Sequence, residues 1–259
     1  MTGLGVVARI SIAPVKSLRL THPAEVWLDI AGARGDRQFY LVDGAGHVFK
    51  GKRDARLVQI RAEYADATRT LTLTFPSGER VQGVAEDGPP LAHLVHGQPA
   101  EAATVVGPWS EAVSSFVGEP LTLVRPARGA VDRGSAGAFS LVSRASLDEL
   151  ARAAGLDTHI DGRRFRMLFE VDGLRAHEED SFVGRTVRIG GAVVRASGNV
   201  GRCVVTTRDP ESGVSDLQTL HVLGRYRAEV ASTEPLPFGV YGEVITAGRV
   251  RTGDEITAI

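Results

Sequence analysis

The chain has 259 residues, 43% of them apolar, and a formal net charge of −1. That is enough apolar material for one large domain or two modest ones with buried cores. The near-neutral charge gives no overall reason to expect a nucleic acid or an anionic membrane as partner. With no apolar run of about 18 residues or more, a membrane-spanning helix is not expected.

Residues Met1 to Ile12 lack the basic start and apolar centre of a secretory signal. The single cysteine agrees with a reducing compartment, so a cytoplasmic location is expected. Lysine occurs only at Lys16, Lys50 and Lys52, and arginine supplies the remaining basic side chains. A G- and C-rich genome produces such a bias. Arginine is also the better bidentate partner for phosphate or carboxylate.

In chain order, Ala24 to Ile30, Arg37 to Val42, Leu57 to Tyr64 and Thr70 to Phe75 show the period-2 alternation of strands. Gly44 and Gly46 mark a hairpin turn, and Pro76-Ser77-Gly78 marks a second. Trp109 to Val117 has helical spacing, with Ser110 as the expected N-cap and Gly118 as the terminator. Pro126 to Phe139, rich in Gly, Ala and Arg, reads as a boundary or a functional loop. A helix is expected from Leu147 to Ala154, capped by Ser146 and closed by Gly155.

Strands are expected at Phe165 to Val171, Thr186 to Ile189, Ala192 to Ala196, Cys203 to Thr207, Tyr241 to Thr246 and Glu255 to Ile259. Asp216 to Arg225 reads as a short helix. Many short strands and few helices predict a mostly-β (α+β) chain, barrel-like in its second half.

Several chemical signatures are absent. The chain has no phosphate-binding loop, no Gly-x-Gly-x-x-Gly, no Cys-x-x-Cys pair and no Gly-x-Ser-x-Gly elbow. His93 and His96, and His177 beside Glu178, Glu179 and Asp180, lack metalloprotease spacing and read as surface polarity. Cys203 is different, lying in Gly201-Arg202-Cys203-Val204-Val205-Thr206-Thr207-Arg208-Asp209-Pro210. A lone cysteine is commonly apolar core filler. Here Arg202 and Arg208 favour the thiolate, which is both nucleophile and metal ligand.

Distant polar clusters join it. They are Lys16-Ser17, Arg34 to Arg37, the serines from Ser140 to Ser146 at a helix start that favours an anion, and Arg163 to Arg166. Arg164 and Arg166, two apart, would share a strand face. The combination describes a pocket with one soft ligand and several donors for an anionic, phosphorylated cofactor.

These residues resemble a known family. Pro14-Val15-Lys16-Ser17, Gly35-Asp36-Arg37-x-Phe39, Arg164-Phe165-Arg166, Glu179-Asp180, Arg202-Cys203-x-x-Thr206-Thr207-x-Asp209-Pro210, Phe238-Gly239-Val240-Tyr241 and Gly253-Asp254-Glu255 look like the MOSC proteins, and within them the amidoxime-reducing branch. The resemblance implies an N-terminal MOSC-associated β-rich domain over residues 1–125 and a MOSC β-barrel over residues 126–259. It also implies a molybdenum cofactor, with Cys203 as catalytic residue and thiolate ligand to molybdenum, a soft donor suited to that metal. Lys16, Arg37, Ser143, Arg164, Arg166, Arg202, Thr206 and Asp209 would hold the pyranopterin and its phosphate, Asp209 by orienting the loop. No pyridoxal phosphate is expected.

The implied activity is reduction of a small N-oxygenated substrate, an amidoxime, hydroxylamine or N-oxide. Electrons would come from a separate ferredoxin, cytochrome b5-like protein or flavoprotein, since one cysteine cannot hold an iron–sulfur cluster. Two departures stand out. Met167-Leu168 replace the usual Pro-Asn, and no proline-rich lead precedes the cysteine. The alternative keeps the fold and makes Cys203 a persulfide-bearing sulfur carrier or sulfurtransferase. A third reading is a non-catalytic binding module with Cys203 as filler.

Overall fold

The computed structural model describes residues 3–127 and 134–259. Seven strands close a barrel in the ladder order Gly3–Ile10, Phe169–Asp172, Phe139–Ser143, Pro237–Thr246, Ala192–Gly201, Thr186–Ile189 and Glu255–Ala258. The first strand closes it, pairing Ile10 with Phe169 on one side and Val6 with Glu255 on the other. Inward positions of these strands, including Ile10, Leu141, Phe169, Val194, Val240 and Ile256, are at most 1% exposed and form the barrel core. Alternating burial along Ala192–Gly201 is what one wet and one dry sheet face require. The architecture is mostly β, as expected.

Residues from both halves of the sequence therefore build the barrel. Glu25–Asp29 pairs with Gly248–Arg251 and with Gly32–Ala33 in a separate three-stranded sheet, whose Val26, Leu28 and Val250 pack into the barrel core. The expected division at 125/126 falls at the last residue of strand Leu121–Pro126, ahead of barrel strand Phe139–Ser143. Of the Pro126 to Phe139 stretch, residues 128–133 lie outside the described residues.

The remaining N-terminal strands form a five-stranded sheet ending on Glu86–Val95 and a three-stranded sheet of Arg61–Ala65, Thr70–Thr74 and Arg80–Val84. They enclose a second core of Phe39, Leu41, Leu57, Leu71, Leu73 and Trp109. The strand Glu86–Val95 has no strand signal in its sequence, because Pro89 and Pro90 interrupt it. It lies at a sheet edge, where missing backbone donors are tolerated.

Four local expectations need correction. The strand expected at Leu57 to Tyr64 begins at Arg61. Ala55–Gln59 before it is a 3₁₀ turn, capped by Asp54 accepting from the Arg56 N–H at 2.8 Å. Helix α1 (Trp109–Val117) ends at Gly118 as expected, with φ 91°, but Ser110 does not cap it. Its hydroxyl accepts from the Leu123 N–H instead, at 3.0 Å.

Helix α2 (Arg144–Ala153) is capped by Ser143 rather than Ser146, because Ser143 has the extended backbone a cap needs and accepts from the Ser146 N–H. Cys203–Thr207 is no strand. The Thr206 N–H bonds the Cys203 carbonyl at 3.0 Å and winds Val204–Thr207 into a 3₁₀ turn. Helix α3 (Thr219–Tyr226) lies where a short helix was expected, and with α2 it packs over Phe165 and Phe238.

Candidate functional site

Five loops converge where the N-terminal sheets meet the barrel. The first follows the opening barrel strand. Val15 and Leu18 are fully buried anchors there, and the Lys16 N–H bonds the Phe39 carbonyl at 2.8 Å. Lys16 between them is 8% exposed. The second loop carries Arg37 in a left-handed backbone, φ 48°, with its N–H on the Ala13 carbonyl and its side chain paired to Asp36. Asp36 in turn accepts from the Ala13 N–H at 2.8 Å, which ties the first two loops together.

The third loop is the turn Lys50–Gly51–Lys52, whose Gly51 N–H donates to Ser17 Oγ at 3.0 Å. The fourth holds Arg163 to Arg166. Arg164 and Arg166 do not share a strand face, because Gly162–Phe165 is a 3₁₀ turn and Arg166 follows it at φ 52°. They diverge. Arg164 forks onto the Asp216 carboxylate at 2.6 and 2.7 Å, and Arg166 donates to the Leu18 carbonyl. Asp161 caps the turn and, with Glu211, holds Arg163.

The fifth loop carries the cysteine. Strand Ala192–Gly201 ends where an added Cβ on Gly201 would meet a Glu234 carboxylate oxygen at 2.8 Å, so this close approach suits glycine. Arg202 is 8% exposed and donates to the carbonyls of Phe238 and Phe165, its guanidinium 5.1 Å over the Phe165 ring. Cys203 follows, half-buried and extended.

Thr206 Oγ1 returns to the Cys203 carbonyl at 3.0 Å, and Thr219 holds the Thr206 carbonyl. Asp209 accepts from the Ser212 and Glu211 N–H groups and the Ser212 hydroxyl, which hold its carboxyl below the usual carboxylate range. Gly213, at φ 78°, passes so close to the Ala55 carbonyl that an added Cβ would clash with it.

Together the loops enclose a compartment of about 280 Å³ lined by Lys16, Arg37, Arg164, Arg166, Arg202, Cys203, Thr206 and Asp209. Eight of the nine expected site residues thus share one cavity. It adjoins a second compartment of about 520 Å³, and Arg37, His96, Phe165, Arg166 and Arg202 line both. Met167 and Leu168, in place of Pro-Asn, line the second, and so does Tyr241.

Ser143 is the exception and a correction. It is fully buried and lines neither compartment, and its hydroxyl is spent on the Ser146 N–H and Ser146 Oγ. The group that occupies this helix start comes from the chain itself. The Glu179 carboxyl accepts from the Ser143 N–H at 3.1 Å and from Ser146 Oγ at 2.7 Å. Burial pushes that carboxyl up, against the pull of these donors. Ser140, in the second compartment, accepts from the Leu168 N–H.

The histidines also need correction. His93 is buried, with Nε2 2.6 Å from the Tyr40 hydroxyl. His96, at the tip of the hairpin between Glu86–Val95 and Gln98–Val106, lines both compartments. His177 packs against Tyr226 and Phe238, and burial, then the charge of Arg227, lowers it to about 4. Sequence spacing could not find them, because their partners lie on other elements. Lys50 and Lys52 also line the cysteine compartment. Their only sequence signal was the scarcity of lysine.

Comparisons with known proteins agree with this architecture. Residues 128–257 match the MOSC domain, and residues 4–119 match the MOSC N-terminal beta barrel domain. The chain is 27% identical to mitochondrial amidoxime-reducing component 1 of Mus musculus, over 98% of this chain and 82% of that protein. It is 25% identical to mitochondrial amidoxime-reducing component 1 of Homo sapiens, with the same coverage. The solved YUAD protein of Bacillus subtilis aligns with a TM-score of 0.45 at 14% identity, over 97% of this chain and 93% of its own. With both domain matches in sequence order and the cysteine loop at the junction they share, the chain belongs to the MOSC family.

Proposed function

We propose that this protein is a molybdenum-cofactor oxidoreductase that reduces an N-oxygenated substrate of amidoxime, hydroxylamine or N-oxide type. The observation that carries the reading is the convergence of a half-buried thiol with Lys16, Arg37, Arg164, Arg166, Arg202 and Thr206 in one cavity. Its support from comparison is the family membership and the names of the amidoxime-reducing relatives.

The residues fit such a group. Among the described residues no three His, Cys, Asp or Glu side chains gather to hold a metal. A metal here therefore suits a chelate that brings its own ligands and takes one soft donor from Cys203. Lys16, Arg37 and Arg166 would neutralise the phosphate and the reduced pterin. Arg202, pinned to two carbonyls, would hold the floor under them. When bound, the cofactor supplies a two-electron centre that accepts an oxygen atom.

The balance for a hydroxylamine is R–NHOH plus two electrons and two protons giving R–NH2 and water. The electrons come from a separate carrier protein. Among the described residues His96 is the one imidazole facing either compartment, placed to hold a proton at a ring nitrogen and pass it to the departing oxygen.

The test is metal and pterin analysis of protein purified from a host that makes the cofactor. About one molybdenum per chain is expected, lost together with N-reduction in Cys203→Ser. Metal-free protein from such a host would sink the reading. The exposure of the thiol in a cationic cavity also suits a persulfide anion, the sulfur-carrier alternative. Intact-mass measurement separates the two, because a persulfide adds about 32 Da that a reductant removes.

A further inference from the structure

The cysteine compartment holds more positive charge than the proposed cofactor residues account for. The chain has three lysines, and all three line this one cavity. Lys16 belongs to the set already assigned. Lys50 and Lys52 come from the turn after strand Val48–Phe49, one half-buried and the other exposed. Arg208 reaches this turn from the cysteine loop and gives its guanidinium to the Gly51 and Lys52 carbonyls.

The turn is thereby fastened against the loop that carries the thiol, and a third cation is brought beside the two lysines. Arg163 and Arg164, in the same lining, are matched by Asp161, Glu211 and Asp216. Among the described residues neither Lys50 nor Lys52 has a carboxylate within 4.0 Å, and the bonds of Arg208 go to carbonyls. The acid of the compartment, Asp209, is turned to its own loop, and its charge is coupled to Arg164. Asp54, the acid that acts on Arg208, is itself held by Arg56, so the two lysines lack a carboxylate of their own and repel one another until an anion arrives.

We propose that Lys50 and Lys52, on the turn that Arg208 fastens, form a second anion subsite that receives a carboxylate or phosphate carried by the substrate. The inference rests on the reading above in one respect: the substrate is processed beside Cys203. It narrows that substrate to an anionic N-oxygenated compound. The lysines line a cavity wall rather than a convex face, which favours a small anion over an acidic carrier protein.

The experiment compares benzamidoxime with 4-carboxybenzamidoxime on the holoenzyme and on the Lys50→Ala/Lys52→Ala variant. Equilibrium dialysis gives affinities, and turnover is driven by reduced methyl viologen so that no protein donor is involved. The native protein is expected to prefer the carboxylate compound about tenfold, the scale of one charge-assisted contact. In the variant the ratio falls towards one at unchanged molybdenum and pterin content. Lys50→Arg/Lys52→Arg, which keeps the charge, restores it and guards against a folding defect.

The preference also shrinks as ionic strength rises from about 0.05 to 0.5 M. Inorganic phosphate displaces the carboxylate compound from native protein but not from the alanine variant. Equal ratios in native and alanine proteins overturn the proposal. Loss of cofactor in step with the lysines also overturns it, since the subsite would then serve the cofactor phosphate. If neither compound is reduced, the N-reductive reading fails, and the dialysis ratio still decides the subsite.

Discussion

Glu179 brings a carboxyl group to a place that is 0% exposed and leaves it there to serve a helix start. Burial raises its native pKa above the ordinary 4.5. The unfolded chain ionises at the lower value, so the unfolded state sheds the proton first as pH rises. Stability from this residue is therefore full below pH 4.5 and is lost between there and the raised native value. Glu179→Gln keeps an acceptor for Ser143 and Ser146 and removes the ionisation. Its stability relative to native protein should improve as pH rises above 4.5 and level off once pH passes the raised native value, read in urea titrations. A constant difference would show that the native carboxyl is not held neutral.

His177 acts in the opposite direction. Its native pKa of about 4 lies below the ordinary 6.5, so the unfolded state gains the proton first on acidification. Stability present above pH 6.5 falls as pH drops towards 4, and His177→Phe should flatten that limb of the profile. Ser143 is testable at the same scale. As a helix cap outside both compartments, Ser143→Ala should cost about 1 kcal/mol or somewhat more in urea unfolding. Molybdenum content per folded chain should stay unaltered.

At the scale of elements, the site is made by the ends of strands rather than by their middles. The barrel strand Ala192–Gly201 stops, the chain winds once over Val204–Thr207, and Asp209 closes the next turn. Period-2 reading called this segment a strand because Val204 and Val205 are β-branched. The winning interactions were the Thr206 bonds to the Cys203 carbonyl and the Thr219 bond to Thr206, both invisible to periodicity.

The same strand is held from behind by Asp180, which takes a hydrogen bond from Asn199 at 2.7 Å and pairs with Arg227, itself bonded to the Pro237 carbonyl. Asp180→Ala strands a buried guanidinium, 5% exposed, and should cost about 3 kcal/mol. Loosening Asn199 four residues before Cys203 should also broaden the range of alkylation rates at the thiol. A uniform, native rate in folded variant protein would mean that the clamp does not reach the cysteine.

For the molecule as a whole, the first strand is the decisive piece. Gly3–Ile10 lies between Phe169–Asp172 and Glu255–Ala258, so the C-terminal half alone would leave two open strand edges. Open edges pair with whatever strand is near. A fragment of residues 126–259 is expected to self-associate and to show poorly dispersed amide resonances. Supplying residues 1–20 as a peptide should restore dispersion. A monomeric, well-dispersed fragment would refute the closure argument.

The mostly-β class and the helix at Trp109–Val117 were legible from residues alone, because alternation, helical spacing and the Gly118 stop are local properties. Eight of the nine expected site residues line one cavity, and the family resemblance draws them from four short motifs. What only the tertiary structure decided is which of those motifs meet. It sent Ser143 inward to Glu179, sent Arg164 to Asp216, and brought Lys50, Lys52 and His96 from the N-terminal sheets to the thiol. The reason is physical. A strand's pattern states which face is buried, but which loop ends become neighbours depends on ladder order and barrel closure, and those are set by pairings between residues more than a hundred positions apart.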